Sequence, residues 1–69
     1  MPLVLARPGE KNSIKRIGGR DDTKKRLETL GFVVGSAVTV VSKINGNVIV
    51  NIKDSRIAIS QEMANKIIV

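Results

Sequence analysis

Residues 38–52 read VTVVSKINGNVIVNI, and the fold class follows from the way this run alternates. Val38 and Val40 fall on one face of a strand, and Val48, Val50 and Ile52 fall on one face of the next. β-Branched residues spaced by two suit a pleated surface buried on one side. Between them, Asn45-Gly46 supplies the two positive-φ positions of a type I′ turn, whose twist matches that of the strands it joins. An antiparallel hairpin is expected. Lys53-Asp54-Ser55 then reads as a second tight turn into Arg56-Ile57-Ala58-Ile59, with Ile57 and Ile59 on one face. The result is a three-stranded meander.

Working back toward the N-terminus, residues 12–17 are expected to form a strand after a turn at Pro8-Gly9. Ile14 and Ile17 fall on opposite faces of a regular strand, so a bulge or an early strand end is needed to bury both. Gly18-Gly19 breaks the chain and reads as a loop hinge. Asp21 or Asp22 is expected to cap a helix in which Leu27 and Leu30 share the inward side, while Lys24, Lys25 and Arg26 take the solvent side. That helix has a written stop. Gly31 suits the left-handed position just beyond the last turn, and Phe32 after it can fold back onto Leu27, as in a Schellman ending. Near the end of the chain, Ser60 can cap a short helix with Glu62 in its first turn and Met63, Ala64 and Ile67 facing inward. Ile67-Ile68-Val69 is expected to finish as a short strand.

Composition bounds what such a fold can do. The chain has 69 residues, 42% of them apolar, with no Cys, no His and one Phe. Residues 1–69 are expected to form a single domain, stabilised by Val, Ile and Leu packed around backbone ladders, because neither a disulfide nor a thiolate or imidazole metal site is available. The acids are Glu10, Asp21, Asp22, Glu28, Asp54 and Glu62, and the adjacent Asp21-Asp22 pair reads as capping rather than as a cation site. Nucleophilic catalysis has no His to serve as its base, and Gly18-Gly19-Arg20 does not match the phosphate-cradling pattern GxxxxGK[ST]. The residues therefore point to a protein with no catalytic group, no cofactor and no metal. The longest apolar run, residues 3–6, is far below the roughly 18 residues that cross a bilayer. No basic segment followed by an apolar one opens the chain, so a cytoplasmic protein without membrane insertion is expected.

Twelve Lys and Arg against six Asp and Glu give a net charge of +6, which favours an acidic partner. Nucleic acid, an anionic membrane surface and an acidic protein patch all qualify. Sheet surfaces that bind single strands interleave bases with aromatic platforms, and grooves that read Pro-rich peptides are lined by aromatics. With Phe32 as the only aromatic residue, polyproline recognition is set aside and nucleic acid takes second place.

The ordered set Leu3, Gly9, Ile14 and Ile17, then Arg26-Leu27-x-x-Leu30-Gly31-Phe32-x-x-Gly35, then Val38 and Val40, ending in Ser55-Arg56-Ile57-Ala58-Ile59 and Ala64-x-x-Ile67-x-Val69, resembles the ferrous iron transport protein A (FeoA) family over nearly the whole chain. The resemblance implies a mostly β, small SH3-like antiparallel β-barrel with one or two short helices. It also implies a cytosolic accessory of the membrane ferrous iron permease with a GTPase domain, which modulates that permease's assembly or transport. The same fold resembles the C-terminal domain of some metal-dependent transcriptional repressors, which makes regulation a rival role; no winged-helix segment precedes the barrel, so a free-standing repressor is not expected.

Leu27, Leu30 and Phe32 are expected mainly in the core. The surface expected to meet a partner comprises Lys24, Lys25 and Arg26 on the helix with Leu30, Gly31 and Phe32 at its end, basic side chains steering toward an acidic patch. Arg56 is expected to lay its stem along the barrel edge and pair with an acid. A small basic nucleic-acid-binding β-barrel, contacting phosphates without sequence readout, is the alternative. Nothing in the sequence specifies an oligomer.

Overall fold

A computed structural model describes residues 1–69, all of the chain. The meander predicted from residues 38–59 forms its centre. Strands β3 (Ala37–Ile44), β4 (Asn47–Ile52) and β5 (Ser55–Ser60) pair antiparallel, and β1 (Lys11–Ser13) adds to the other side of β3, giving the order β1-β3-β4-β5. The register pairs Val38 with Ile52 and Val40 with Val50, which places the alternating valines together on the buried face. Asn45 and Gly46 turn the first hairpin with φ of 49° and 79°. The second turn is tighter than the sequence suggests: Ile52 pairs with Ser55, so only Lys53 and Asp54 lie in it, and Lys53 takes a φ of 54°. A register shift between Val40 and Ser42 bulges β3 at Val41. Beyond it Lys43, paired with Val48, lies at the end of the inner face, where its ammonium donates to the Val4 carbonyl.

The strand expected over residues 12–17 divides in two. β1 ends at Ser13, and β2 (Arg16–Ile17) pairs antiparallel with β6 (Ile67–Ile68) in a separate two-stranded sheet. The Ile14 amide still donates to Ser36, whereas the Lys15 amide donates to Ile68, so the backbone changes sheets between these two residues. This strand end resolves the parity problem, since Ile14 and Ile17 are both buried. The six strands thus form a small SH3-like fold whose two sheets are not joined into one closed ladder.

Helix α1 (Asp21–Thr29) starts one or two residues earlier than the expected cap at Asp21 or Asp22 implies. Arg20, in extended conformation, holds the capping position without a side-chain hydrogen bond. Asp21 and Asp22 sit inside the first turn, where carboxylates favour the positive end of the helix dipole, and the Asp22 carboxylate accepts from the Thr23 amide at 2.9 Å. The helix stop is as read. Gly31 has a φ of +105°, its amide donates to Glu28 at 2.9 Å, and the Phe32 amide donates to Leu27 at 2.9 Å. These are the two bonds of a Schellman motif. Helix α2 (Gln61–Asn65) opens as predicted, with the Ser60 hydroxyl accepting from the Met63 amide at 3.2 Å.

Fifteen residues are buried, all of them apolar. Phe32, Leu27, Leu3, Ile14, Ile52 and Ile67 are the largest of those that are fully enclosed. Leu3 belongs to a 3-10 turn (Leu3–Leu5), an element the sequence pattern leaves unassigned. Leu30, expected inside, is 38% exposed. It is the helix cap, still in helical conformation, and three residues of helix rotate it about 60° off the direction of Leu27, to the margin of the buried side. The chain reverses at Gly31 and carries Phe32 back to the core.

The structure separates two costs at Gly31. A β-carbon there meets nothing closer than 3.8 Å, so a substitution is penalised by its backbone conformation alone. Gly31→Ala is expected to lose about 1–2 kcal/mol, seen as a fall of several degrees in Tm. A Tm equal to that of the unsubstituted protein would contradict the left-handed ending.

Candidate functional site

The six residues predicted to meet a partner do not make one continuous surface. Successive helical positions are rotated by about 100°, so Lys24, Lys25 and Arg26 span about 200° of the circumference of α1. Leu27 points inward and is fully buried; Lys24 beside it is half-buried, whereas Lys25 and Arg26 are exposed. Arg26 turns toward α2 and lines a cleft of about 230 Å³ with Asp22, Thr23, Glu62, Met63 and Lys66. Lys25 faces solvent on the side opposite Leu27. Its basic neighbours therefore flank the helix rather than extend a common patch.

At the end of the helix the candidate set divides again. Phe32 is fully buried, which makes it the anchor of the loop and unavailable to a partner while the domain is folded. Leu30 and Gly31 remain at the surface or partly so. A residue not singled out in the sequence, Val34, is 66% exposed on the same loop. Two apolar side chains thus stand out on either side of the Phe32 anchor. Large exposed aliphatic groups carry little meaning singly, but here they bracket a loop fixed by a Schellman motif at one end and by Gly35 at the other, whose amide donates to the Ile14 carbonyl at 2.8 Å. The loop is held at both ends, so Leu30 and Val34 are exposed on an anchored segment.

Other residues singled out in the sequence take firm structural places. The Gly18 amide donates to the Lys66 carbonyl at 2.7 Å, and a β-carbon on Gly19, at φ +95°, would meet the Lys66 side chain at 3.0 Å. The double glycine is therefore a close approach to the start of β6. Arg56 donates through Nε to the Asn51 amide oxygen at 3.3 Å; its partner is an amide where an acid was expected. No three His, Cys, Asp or Glu side chains converge as a metal-binding group, and no helix is long and apolar enough to cross a membrane.

Comparison with known proteins places this geometry. Residues 1–69 match the family model described as the FeoA domain. A relative from Methanocaldococcus jannaschii that carries the name Fe(2+) transport protein A is 38% identical over 68 residues, covering 99% of this chain and 83% of the relative. The crystal structure of Stenotrophomonas maltophilia FeoA complexed with zinc superposes with a TM-score of 0.84 at 23% identity, over 99% of this chain and 87% of that one. That protein is described as a procaryotic SH3 domain protein and a candidate ferrous iron transport activating factor. A manganese-dependent transcriptional repressor shares the fold with a TM-score of 0.88 at 18% identity, over 97% of this chain but 39% of the repressor.

Proposed function

Because the chain belongs to the FeoA family, a family of small domains linked to ferrous iron transport, we propose that it is a cytosolic accessory protein of a ferrous iron uptake system. It binds the membrane GTPase permease and modulates its assembly or transport, and catalysis resides in the permease. The observation that carries this reading is the match to the family along the whole chain, together with a relative named for Fe(2+) transport. The local chemistry agrees with it. A core that is entirely apolar supports a rigid loop presenting Leu30 and Val34, with Lys25 and Arg26 on the preceding helix turn. Apolar anchors with charge at the rim are how a small, transient interface is built.

Titration against the isolated GTPase domain, then against the whole permease, tests this reading. Saturable binding is expected, and Leu30→Asp combined with Val34→Asp is expected to weaken it about tenfold or more, as loss of an interface anchor does. Lys25→Glu, exposed and opposite the core, should lower the association rate more than it raises dissociation. Binding by the Leu30→Asp, Val34→Asp variant at unchanged affinity would remove the loop from the interface. The net charge of +6 favours one second reading, a phosphate-binding barrel, whose signature is duplex affinity that falls steeply with added salt.

A further inference from the structure

The outward face of the four-stranded sheet carries a feature that the loop and helix do not share. Lys11 pairs with Thr39, Thr39 with Asn51, and Asn51 with Arg56, so these four residues form one row across all four strands. Their chain neighbours Val38, Val40, Val50 and Ile52 point into the core, which sends the row outward by the alternation of a strand. Neighbouring strands lie about 4.8 Å apart, so Lys11 and Arg56 stand about 14 Å from one another. Beside the row, Lys53 and Asp54 at the second turn complete two adjoining hollows of about 490 and 340 Å³.

The row presents donors. Arg56 has only N–H groups, so the Asn51 atom that meets its Nε is the amide oxygen. That bond uses one acceptor site of the amide oxygen and leaves the Asn51 NH₂ to donate elsewhere. The Lys11 ammonium, the Thr39 hydroxyl and the terminal nitrogens of Arg56 complete the set, with Lys53 adding a further cation. Asp54 at the turn tip is the one carboxylate lining the hollows. Such a surface matches a ligand that supplies acceptors and negative charge, and the Arg fork pairs bidentately with a carboxylate.

We propose that this row is a second docking surface, which takes an extended acidic segment of a partner protein lying across the strands. Side chains on one face of an extended segment repeat about every 6.8 Å, so carboxylates four residues apart span the distance from Lys11 to Arg56. The absence of aromatic side chains from the row favours carboxylates over the bases of a single-stranded nucleic acid, which would need stacking platforms. The inference rests on reading the chain as a docking module, but its probe is a peptide, so its failure would leave binding to the permease untouched.

A fluorescent alternating Glu-Ser dodecapeptide at low salt is the test, with its Gln-Ser counterpart and a single-stranded thymidine dodecamer beside it. Each exposed charge pair contributes a factor of about two to five, so Lys11→Gln with Arg56→Gln is expected to weaken the acidic peptide about tenfold. Lys15→Gln with Arg20→Gln removes the same charge from exposed positions outside the row and should change affinity by less than twofold. On the unsubstituted protein, the amide resonances of Thr39 and Asn51 should move on titration. Equal weakening by the two variants, no shift at those amides, or tighter binding of the oligonucleotide than of the peptide would each overturn the proposal.

Discussion

Phe32→Ala is expected to remove about 3–5 kcal/mol of folding free energy, the range for truncating a buried aromatic ring. A domain of this size has roughly 3–10 kcal/mol in total, at about 0.05–0.15 kcal/mol per residue, so the variant should be largely unfolded or close to it near physiological temperature. The ring is the largest fully buried side chain in the molecule, and it directly follows the glycine that ends α1. Its removal both opens a cavity and releases the loop that presents Leu30 and Val34. Phe32→Leu, which keeps much of the volume, should stay folded with a lower Tm. Thermal or urea denaturation followed by circular dichroism checks both, and a Phe32→Ala protein melting within a few degrees of the original would contradict the anchoring role.

The second large effect lies where chains usually fray. Leu3→Ala is expected to lose about 2–5 kcal/mol, although first residues of a domain are ordinarily poorly ordered. Here Leu3 is fully buried, its turn packs on α2, Pro2 bridges to Ile68, and the Lys43 ammonium binds the Val4 carbonyl. Leu5, two residues on and 65% exposed, provides the contrast: Leu5→Ala should fall within about 0.5 kcal/mol of the original, as surface changes do. If denaturation midpoints for the two variants coincide, the N-terminal turn is not part of the core.

Much of this architecture is legible in the residues, and the exceptions have physical causes. The β3–β4 hairpin is carried by local signals, since Asn45-Gly46 fixes the turn and parity fixes the face. Gly31 and Phe32 likewise announce the end of α1 through a motif complete within a few residues. What escapes is set by distant partners. Ile14 and Ile17 are both buried because the chain leaves β3 for β6, and β6 lies at the far end of the sequence. Leu30 satisfies the helical spacing yet stays partly exposed, because three residues of helix place it about 60° off Leu27, at the margin of the buried side. The 3-10 turn at Leu3–Leu5 has no periodicity to read; it exists through what it packs against.

The candidate contacts were readable only in part for the same reason. Lys24, Lys25 and Arg26 look like one patch in sequence, but adjacent helical residues point in different directions, and the structure spreads them around α1. The row from Lys11 to Arg56 looks like nothing in sequence, because its members are brought together by strand register. Arg56 illustrates the limit: its pairing with Asn51 follows from the tight turn at Lys53 and Asp54, which sets those two residues opposite each other.

The proposed role requires that this small domain, built on an entirely apolar core, act by binding another macromolecule. Recovery of the protein from nuclease-treated and untreated cell membranes, with identification of what accompanies it, tests this most directly. A large membrane GTPase of ferrous iron uptake is expected to be retained in both samples. Loss of every partner on nuclease treatment, with nucleic acid recovered from the untreated sample, would contradict it.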